Sequence, residues 1–217
     1  MKILVTAGPT REFIDPVRFL SNPSSGRMGF AIARAACSMG HETVLVAGPV
    51  ALKTPKGVRR VDVVSARDML AAVEKERFDC FIATAAVADW RSAQCSAKKL
   101  KKSSMDGTLK LVRNPDIVKS ISSKVRALRG KASRKVIIGF AAETGDPTAE
   151  ASRKCREKGL DLVVANDVTQ PGSGFGVKTN RVAFVWPDGR IERFPLMGKD
   201  AVARRIVRAA ERIARGE

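Results

Sequence analysis

Short apolar runs alternate with amphipathic stretches along most of the chain. The runs at residues 2–6, 43–47, 60–64, 79–84, 135–140 and 160–165 are mostly continuous rather than alternating. That pattern suits strands buried on both faces of a sheet. Helical spacing fills the gaps between them. Residues 26–39 place Met28, Ile32, Ala35 and Met39 on one face, with Gly40 as a natural stop. Residues 66–77, 116–128 and 148–158 follow the same logic. The last segment, 199–215, sets Val202, Ile206, Ala209 and Ile213 on one stripe and arginines on the other faces. Strand and helix in alternation predict an α/β fold, a mostly parallel sheet with helices on both faces. Two stretches depart from this. Residues 89–113 have no clean period and read as a mobile loop or flap. Residues 168–197 read as a Gly-rich loop followed by an appended hairpin, 181–186 and 190–194, turning at Pro187-Asp188-Gly189. Such a hairpin serves as an edge extension or a dimer arm. No repeat or low-complexity linker divides the chain, so 1–217 is expected to be a single domain.

Composition narrows the class. With 44% hydrophobic and 29% charged residues, disorder, collagen and coiled coil are excluded as the main state. A chain of 217 residues can bury a core without metals or disulfides. No apolar run approaches the roughly 18 residues of a membrane span. Met1-Lys2-Ile3-Leu4-Val5 moves straight into strand-like sequence, and a soluble, cytoplasmic protein is expected. The four cysteines, Cys37, Cys80, Cys95 and Cys155, form no C-x-x-C pair and read as buried or incidental thiols. The one histidine, His41, follows Gly40 in a turn-like context and reads as structural, which argues against triads and His-rich metal sites.

Charge changes the picture more. Forty Lys and Arg face 22 Asp and Glu, a net charge of +18. Residues 98–135 hold thirteen basic and two acidic residues, so this stretch carries +11 of it. It attracts polyanions, whether nucleic acid, phosphorylated small molecules or anionic membrane.

Candidate chemistry gathers after the strands. The first strand is followed by Thr6-Ala7-Gly8-Pro9-Thr10-Arg11, Asp15-Pro16-Val17-Arg18 and Ser21-Asn22-Pro23-Ser24-Ser25-Gly26. In doubly wound folds ligands sit beyond the carboxyl ends of strands, and helix N-termini welcome phosphate. Ser24, Ser25 and Gly26 offer small side chains and free N–H groups for that, or an ordinary N-cap; they match neither the dinucleotide fingerprint nor a P-loop. After the fourth strand, Ala83, Thr84 and Ala85 would let a base or ribose approach the backbone, and Asp89 could accept from a hydroxyl or base amine or cap a helix. Lys98-Lys99-Leu100-Lys101-Lys102 is either solvated surface or a cluster that neutralises phosphate charge. Asn114-Pro115-Asp116-Ile117 opens a helix. Phe140 could stack on a base or fill a core, and Lys154 and Lys158, four apart, share a helix face.

Taken together, TAGPTREFIDPVRFLSNPSSGRMG at 6–29, AAVADWR at 85–91, KKLKK at 98–102, NPDI at 114–117, GFAAET at 139–144, K-x-x-x-K at 154–158 and LDLVVAND at 160–167 resemble the phosphopantothenate–cysteine ligase family. In many bacteria this is the carboxy-terminal half of a bifunctional coenzyme A flavoprotein. The resemblance implies a Rossmann-like, doubly wound fold and a two-step ligation of 4′-phosphopantothenate and L-cysteine through an acyl nucleotidylate, with Mg²⁺. It implies Asn22 and Lys99 as catalytic residues, Lys101 and Lys102 lying beside Lys99. Ala83, Thr84, Ala85, Asp89, Lys99, Asn114, Pro115, Asp116, Ile117, Phe140, Lys154 and Lys158 become nucleotide-binding positions. Arg18, Asn22, Ser24, Ser25 and Gly26 are expected near the substrates; no metal ligands can be named. NPDI points to CTP rather than ATP, with Trp90 standing where an aromatic such as Tyr is usual. A homodimer is implied, with part of its contact assigned to 168–197. The decarboxylase half is not in this sequence, so no flavin is expected. Two rivals were weighed on the residues. An NAD(P)-type oxidoreductase lacks the glycine fingerprint, and the chain has no tyrosine to serve as proton donor. A basic nucleic-acid-binding module lacks helix-turn-helix, zinc and aromatic-platform signatures, with only 5% aromatic residues.

Overall fold

The computed structural model describes residues 1–101, 107–127 and 135–217. Its first strand, β1 (Lys2–Ala7), is buried almost end to end and leads into a short hairpin, β2 (Arg11–Phe13) and β3 (Phe19–Ser21). Then come α1 (Arg27–Ser38), β4 (Glu42–Ala47), β5 (Arg59–Asp62), α2 (Ala66–Lys75) and β6 (Cys80–Ala83). The chain continues with β7 (Trp90–Ser92), β8 (Leu111–Arg113), α3 (Ile117–Ala127), β9 (Val136–Glu143), α4 (Thr148–Lys158) and β10 (Leu162–Asp167). It closes with β11 (Thr179–Asn180), β12 (Ala183–Val185), β13 (Ile191–Arg193), β14 (Met197–Gly198) and α5 (Lys199–Arg215).

Eight strands form the main sheet in the order β13-β12-β10-β9-β6-β1-β4-β5. From β10 to β5 every pairing is parallel, and β12 and β13 add an antiparallel edge. The continuous apolar runs are explained by helices on both faces. Ile3, Val5, Leu45, Ile82 and Ile138 point toward α1 and α5, where Ile32, Val202 and Ile206 complete one core. Leu4, Val44, Phe81 and Ile137 point to the other face and pack with Met69 of α2, Ile121 of α3 and Ala151 of α4. This is the expected Rossmann-like, doubly wound α/β architecture. The hairpin 181–194 extends the sheet edge, pairing Val163 with Val185 and Ala183 with Arg193.

Several boundaries differ from the expectation. Helix α1 starts at Arg27 because Gly26 is left-handed, with φ 74°. The strand at 60–64 ends at Asp62, and Val64 instead accepts the Arg11 N–H at 2.8 Å. Residue 128, the expected end of α3, lies outside the described residues. The aperiodic stretch 89–113 holds two strands, with Trp90 opposite Arg113 and Ser92 opposite Leu111. The polar loop after β1 likewise contains the β2–β3 hairpin, Arg11 opposite Ser21. Three-residue strands are too short to display a two-residue period, so neither ribbon was legible. His41 is structural as expected: Nε2 lies 2.9 Å from Glu211 Oε1, and Nδ1 lies 3.4 Å from the Met1 amine. All four cysteines are free. Burial pushes the Cys155 thiol up to about 11 and the Cys80 thiol higher still, so both stay protonated. Among the described residues no helix is long and apolar enough to cross a membrane.

Candidate functional site

The strand order reverses between β1 and β6. Connections from β1 run outward to β4 and β5, and those from β6 run outward to β9 and β10. Ligands of open α/β sheets sit at such a switch point, beyond the strand carboxyl ends. A cleft of about 680 Å³ opens there. Its floor is the loop 84–89, whose small side chains leave backbone exposed to the cleft.

Hydrogen bonds from both sides pin that loop. Thr84 Oγ1 donates to Thr6 O at 2.5 Å, and the Ala86 N–H donates to Gly8 O at 2.9 Å. Thr10 Oγ1 accepts from the Ala88 N–H at 3.0 Å. Asn22 Nδ2 donates to the carbonyls of Ala86 and Val87, at 3.2 and 3.1 Å. Asn114 Nδ2 donates to Ala88 O at 2.8 Å, and its N–H to Asp89 O at 2.8 Å. Arg91 NH1 in turn reaches Asn114 Oδ1 at 3.2 Å. Two asparagines from distant segments therefore hold the same short stretch of backbone.

Of the expected nucleotide positions, Ala83, Ala85, Asp89, Asn114, Pro115, Asp116, Ile117, Phe140, Lys154 and Lys158 all line the cleft, as does Asn22. Lys154 and Lys158 stand on one face of α4, with side chains about three-quarters buried. Lys154 Nζ lies 3.4 Å from Phe140 O and 3.9 Å from Glu143 Oε1, and Lys158 Nζ lies 2.7 Å from Asp116 Oδ2. Burial pushes the Lys154 ammonium below its ordinary value, and the neighbouring Lys158 charge adds to the shift. Burial works to raise the Asp116 carboxyl, but the Lys158 hydrogen bond, the Lys119 N–H and the two lysine charges hold it below its ordinary value.

A smaller pocket of about 130 Å³ adjoins the cleft and shares Ala85, Ala86, Phe140, Ala142 and Phe175 with it. Thr84 faces this pocket, as do Ser24, Ser25 and Gly26. No side chain caps α1, and Ser24 Oγ accepts only from the Gly26 N–H, at 3.3 Å, so the ordinary N-cap reading does not hold. The first-turn N–H groups of α1 are left for whatever enters the pocket.

Arg18 and Lys99 sit outside both pockets. Arg18 Nε and NH2 bond Asp15 Oδ2 at 3.0 and 2.5 Å, which holds the Asp15 carboxyl far below the usual range. Lys99 is exposed on the segment between β7 and β8. Lys102 lies outside the described residues.

Several lining residues escaped the sequence reading. Phe175 reaches the junction of the two pockets from a loop with Gly172, Gly174 and Gly176 at φ 75°, 90° and 76°. Lys199, only 7% exposed, anchors that loop by donating to Gly174 O at 2.9 Å and Val177 O at 2.8 Å. Asn180 Oδ1 accepts from Ser173 Oγ at 2.7 Å. The Gly-x-Gly-x-Gly spacing around Phe175 was the available signal; a lysine opening an arginine-rich helix gave none.

Residues 1–213 match the family model described as the DNA/pantothenate metabolism flavoprotein C-terminal domain. The chain belongs to this family. It is 46% identical over 210 residues to the coenzyme A biosynthesis bifunctional protein CoaBC of Vibrio vulnificus (strain YJ016), covering 95% of this chain and 51% of that protein. Against the protein of the same description from Escherichia coli (strain K12), identity is 46% over 208 residues, 92% of this chain and 50% of that one. This DNA/pantothenate metabolism flavoprotein domain thus spans about half the length of the curated relatives it matches. A crystal structure of the C-terminal domain of CoaBC superposes with a TM-score of 0.81 at 39% identity, covering 100% of this chain and 96% of that one. A Cab2 mutant described as a complex with phosphopantothenate-cysteine superposes at 0.73, covering 99% and 88%; its 15% identity speaks for the fold alone.

Proposed function

We propose that the chain is a phosphopantothenate–cysteine ligase acting in coenzyme A biosynthesis, one domain over 1–217, with CTP as its nucleotide. The observation that carries this reading is the cleft at the β1–β6 switch point. There a floor of small residues meets Asn22 on one side and the Lys154–Lys158 pair on the other. The relatives, described as coenzyme A biosynthesis proteins, support it.

A carboxylate is a poor electrophile until one oxygen becomes a good leaving group. In the first step a phosphopantothenate carboxylate oxygen attacks the α-phosphorus; the new O–P bond replaces the bond to pyrophosphate, which leaves. In the second, the cysteine nitrogen attacks the acyl carbon, the C–O bond to CMP breaks, and the amine proton is released. The exposed backbone of Ala83–Ala85 and the Asp89 carboxylate take the base and ribose. Lys154 and Lys158 face the triphosphate, and Lys99 closes over it from the segment between β7 and β8. Ser24, Ser25, Gly26 and the α1 N-terminus take anionic oxygens in the adjoining pocket, which Thr84 also lines. Mg²⁺ binds through one or two carboxylates plus phosphate oxygens and waters. The metal would neutralise phosphate charge. A homodimer through 168–197 accords with Ile191 and Leu196, apolar and exposed on that arm.

The deciding experiment mixes protein, 4′-phosphopantothenate, cysteine and Mg²⁺ with CTP or ATP and follows pyrophosphate. Release with CTP that depends on phosphopantothenate is the expected result; silence with both nucleotides ends the proposal, and release with ATP alone corrects the base. A second expectation concerns Lys154. Its lowered pKa means that, between that value and the ordinary one, the free protein carries this amine partly neutral. A bound polyphosphate favours the ammonium, so nucleotide binding at alkaline pH, below the ordinary lysine pKa, should take up protons. Titration calorimetry in two buffers of different ionisation enthalpy reads this directly. Identical heats in both, or uptake that persists in Lys154→Met, would place the triphosphate elsewhere.

A further inference from the structure

The turn between β2 and β3 buries a carboxylate where an exposed one would suffice. Asp15 is 0% exposed. Its Oδ1 accepts from the Val17 and Arg18 N–H groups, both at 2.8 Å, which is the ordinary way an aspartate closes a turn. Oδ2 points away from the turn. It accepts from Arg18 Nε and NH2 and, at 3.1 Å, from the N–H of Leu100, 85 positions along the chain. Arg18 NH2 then donates to Leu100 O at 3.0 Å. Both backbone polar groups of Leu100 are therefore satisfied by one ion pair. A second tie lies four residues earlier, where the Ser96 N–H donates to Ile14 O at 2.9 Å. Ser96 Oγ also braces Lys98, donating to its carbonyl at 2.6 Å. Residues 96 and 100 are thus clamped to the 14–18 turn, and Lys98 and Lys99 are held between the clamps with Lys99 exposed.

We propose that Asp15 is a positioning residue, which with Arg18 latches the lysine-bearing segment through Leu100 and so sets where Lys99 can reach. This rests on the ligase reading above, in which Lys99 serves the activation step. The same hairpin ends in β3 and runs directly into Asn22, so one rigid ribbon ties the proposed activation lysine to the proposed amide-forming asparagine. Burying a carboxylate is costly unless it is paired and fully hydrogen-bonded, and here the pairing reaches across to the flap rather than staying within the turn. Neither Asp15 nor Leu100 lines the cleft, so the latch should touch the nucleotide only through Lys99.

Asp15→Asn is the discriminating variant. Its amide oxygen can keep the Oδ1 bonds of the turn, while the NH2 group replaces Oδ2 and faces three donors. Turnover should fall roughly 100-fold, as a small misplacement of a reacting group does. Affinity for CTP alone, measured by calorimetry, should fall no further than it does in Lys99→Gln. The double variant with Lys99→Gln should be no slower than Lys99→Gln by itself, because both act through the same group. Limited trypsin digestion mapped by mass spectrometry supplies a readout that needs no activity: cleavage after Lys98, Lys99 and Lys101 should accelerate in Asp15→Asn. Leu100→Pro, which deletes the N–H received by Oδ2 and leaves the turn intact, should copy the turnover loss and the faster cleavage after Lys98 and Lys101, the Lys99–Pro bond itself resisting trypsin, and stands in if Asp15→Asn does not fold. Multiplying losses in the double variant, or unchanged cleavage after Lys98 and Lys101 in both single variants, overturns the latch. A wild-type protein without ligase activity would instead sink the ligase reading, and the digestion would still decide whether the latch exists.

Discussion

Replacing Asn22 by Asp should halt amide formation while pyrophosphate is still released. The Asn22 amide spends its two N–H bonds on the carbonyls of Ala86 and Val87, the backbone that floors the cleft. A carboxylate at this position has no donor and sets negative oxygen against two carbonyl oxygens. It also places a charge beside an acyl centre whose oxygen becomes negative as the amine attacks, where one misplaced polar group costs roughly 100- to 1000-fold. In the proposed scheme activation takes place at the α-phosphorus and does not involve the Asn22 amide. The acyl nucleotidylate should therefore accumulate and be recoverable after acid quench. Asn22 is exposed, so the fold should lose only about 1 kcal/mol per bond. Normal turnover with no trapped intermediate would remove Asn22 from the second step.

Gly29→Ala should be a strongly damaging small substitution near the site. A Cβ at Gly29 would lie 2.4 Å from Ala7 Cβ and 2.5 Å from Thr84 Oγ1. Helix α1 crosses the end of β1 so closely that only a hydrogen fits between them. The intrinsic helix preference for Ala returns up to about 1 kcal/mol. Overpacking costs typically about 1–3 kcal/mol, against a total stability of roughly 5–15 kcal/mol. The substitution also pushes on Thr84, whose hydroxyl ties β6 to Thr6, so nucleotide affinity should fall together with stability. Gly198→Ala is the control. Nothing lies within 4 Å of its Cβ, and its backbone is extended, so its cost should stay under about 1 kcal/mol. Urea midpoints for the two variants test this; equal midpoints would mean that α1 yields without loss.

Much of the site was legible because its parts fall at the ends of strands that announce themselves. Continuous apolar runs located β1, β6, β9 and β10, and the residues just past them, from Ala83 to Asp89 and from Phe140 to Glu143, had to lie on one edge of a parallel sheet. Lys154 and Lys158 followed from helical spacing alone. Phe175 and Lys199 were not legible. One is an exposed aromatic in a glycine-rich loop, the other a buried lysine whose ammonium donates to carbonyls of that loop. Nothing local in either segment encodes their meeting.

Period and composition act over a few residues, and they sufficed for the α/β class and the positions of the helices and the main-sheet strands. What the tertiary structure decided depends on contacts between segments far apart in the chain. It brought Asn22 and Asn114 to opposite sides of the same loop. It paired Arg18, expected near the substrates, with the buried Asp15 carboxylate. It seated Leu100 on Asp15 across 85 positions. Those arrangements follow from how a twisted sheet crosses and reverses, and a hydrogen bond of this kind forms only after the strands around it have already packed.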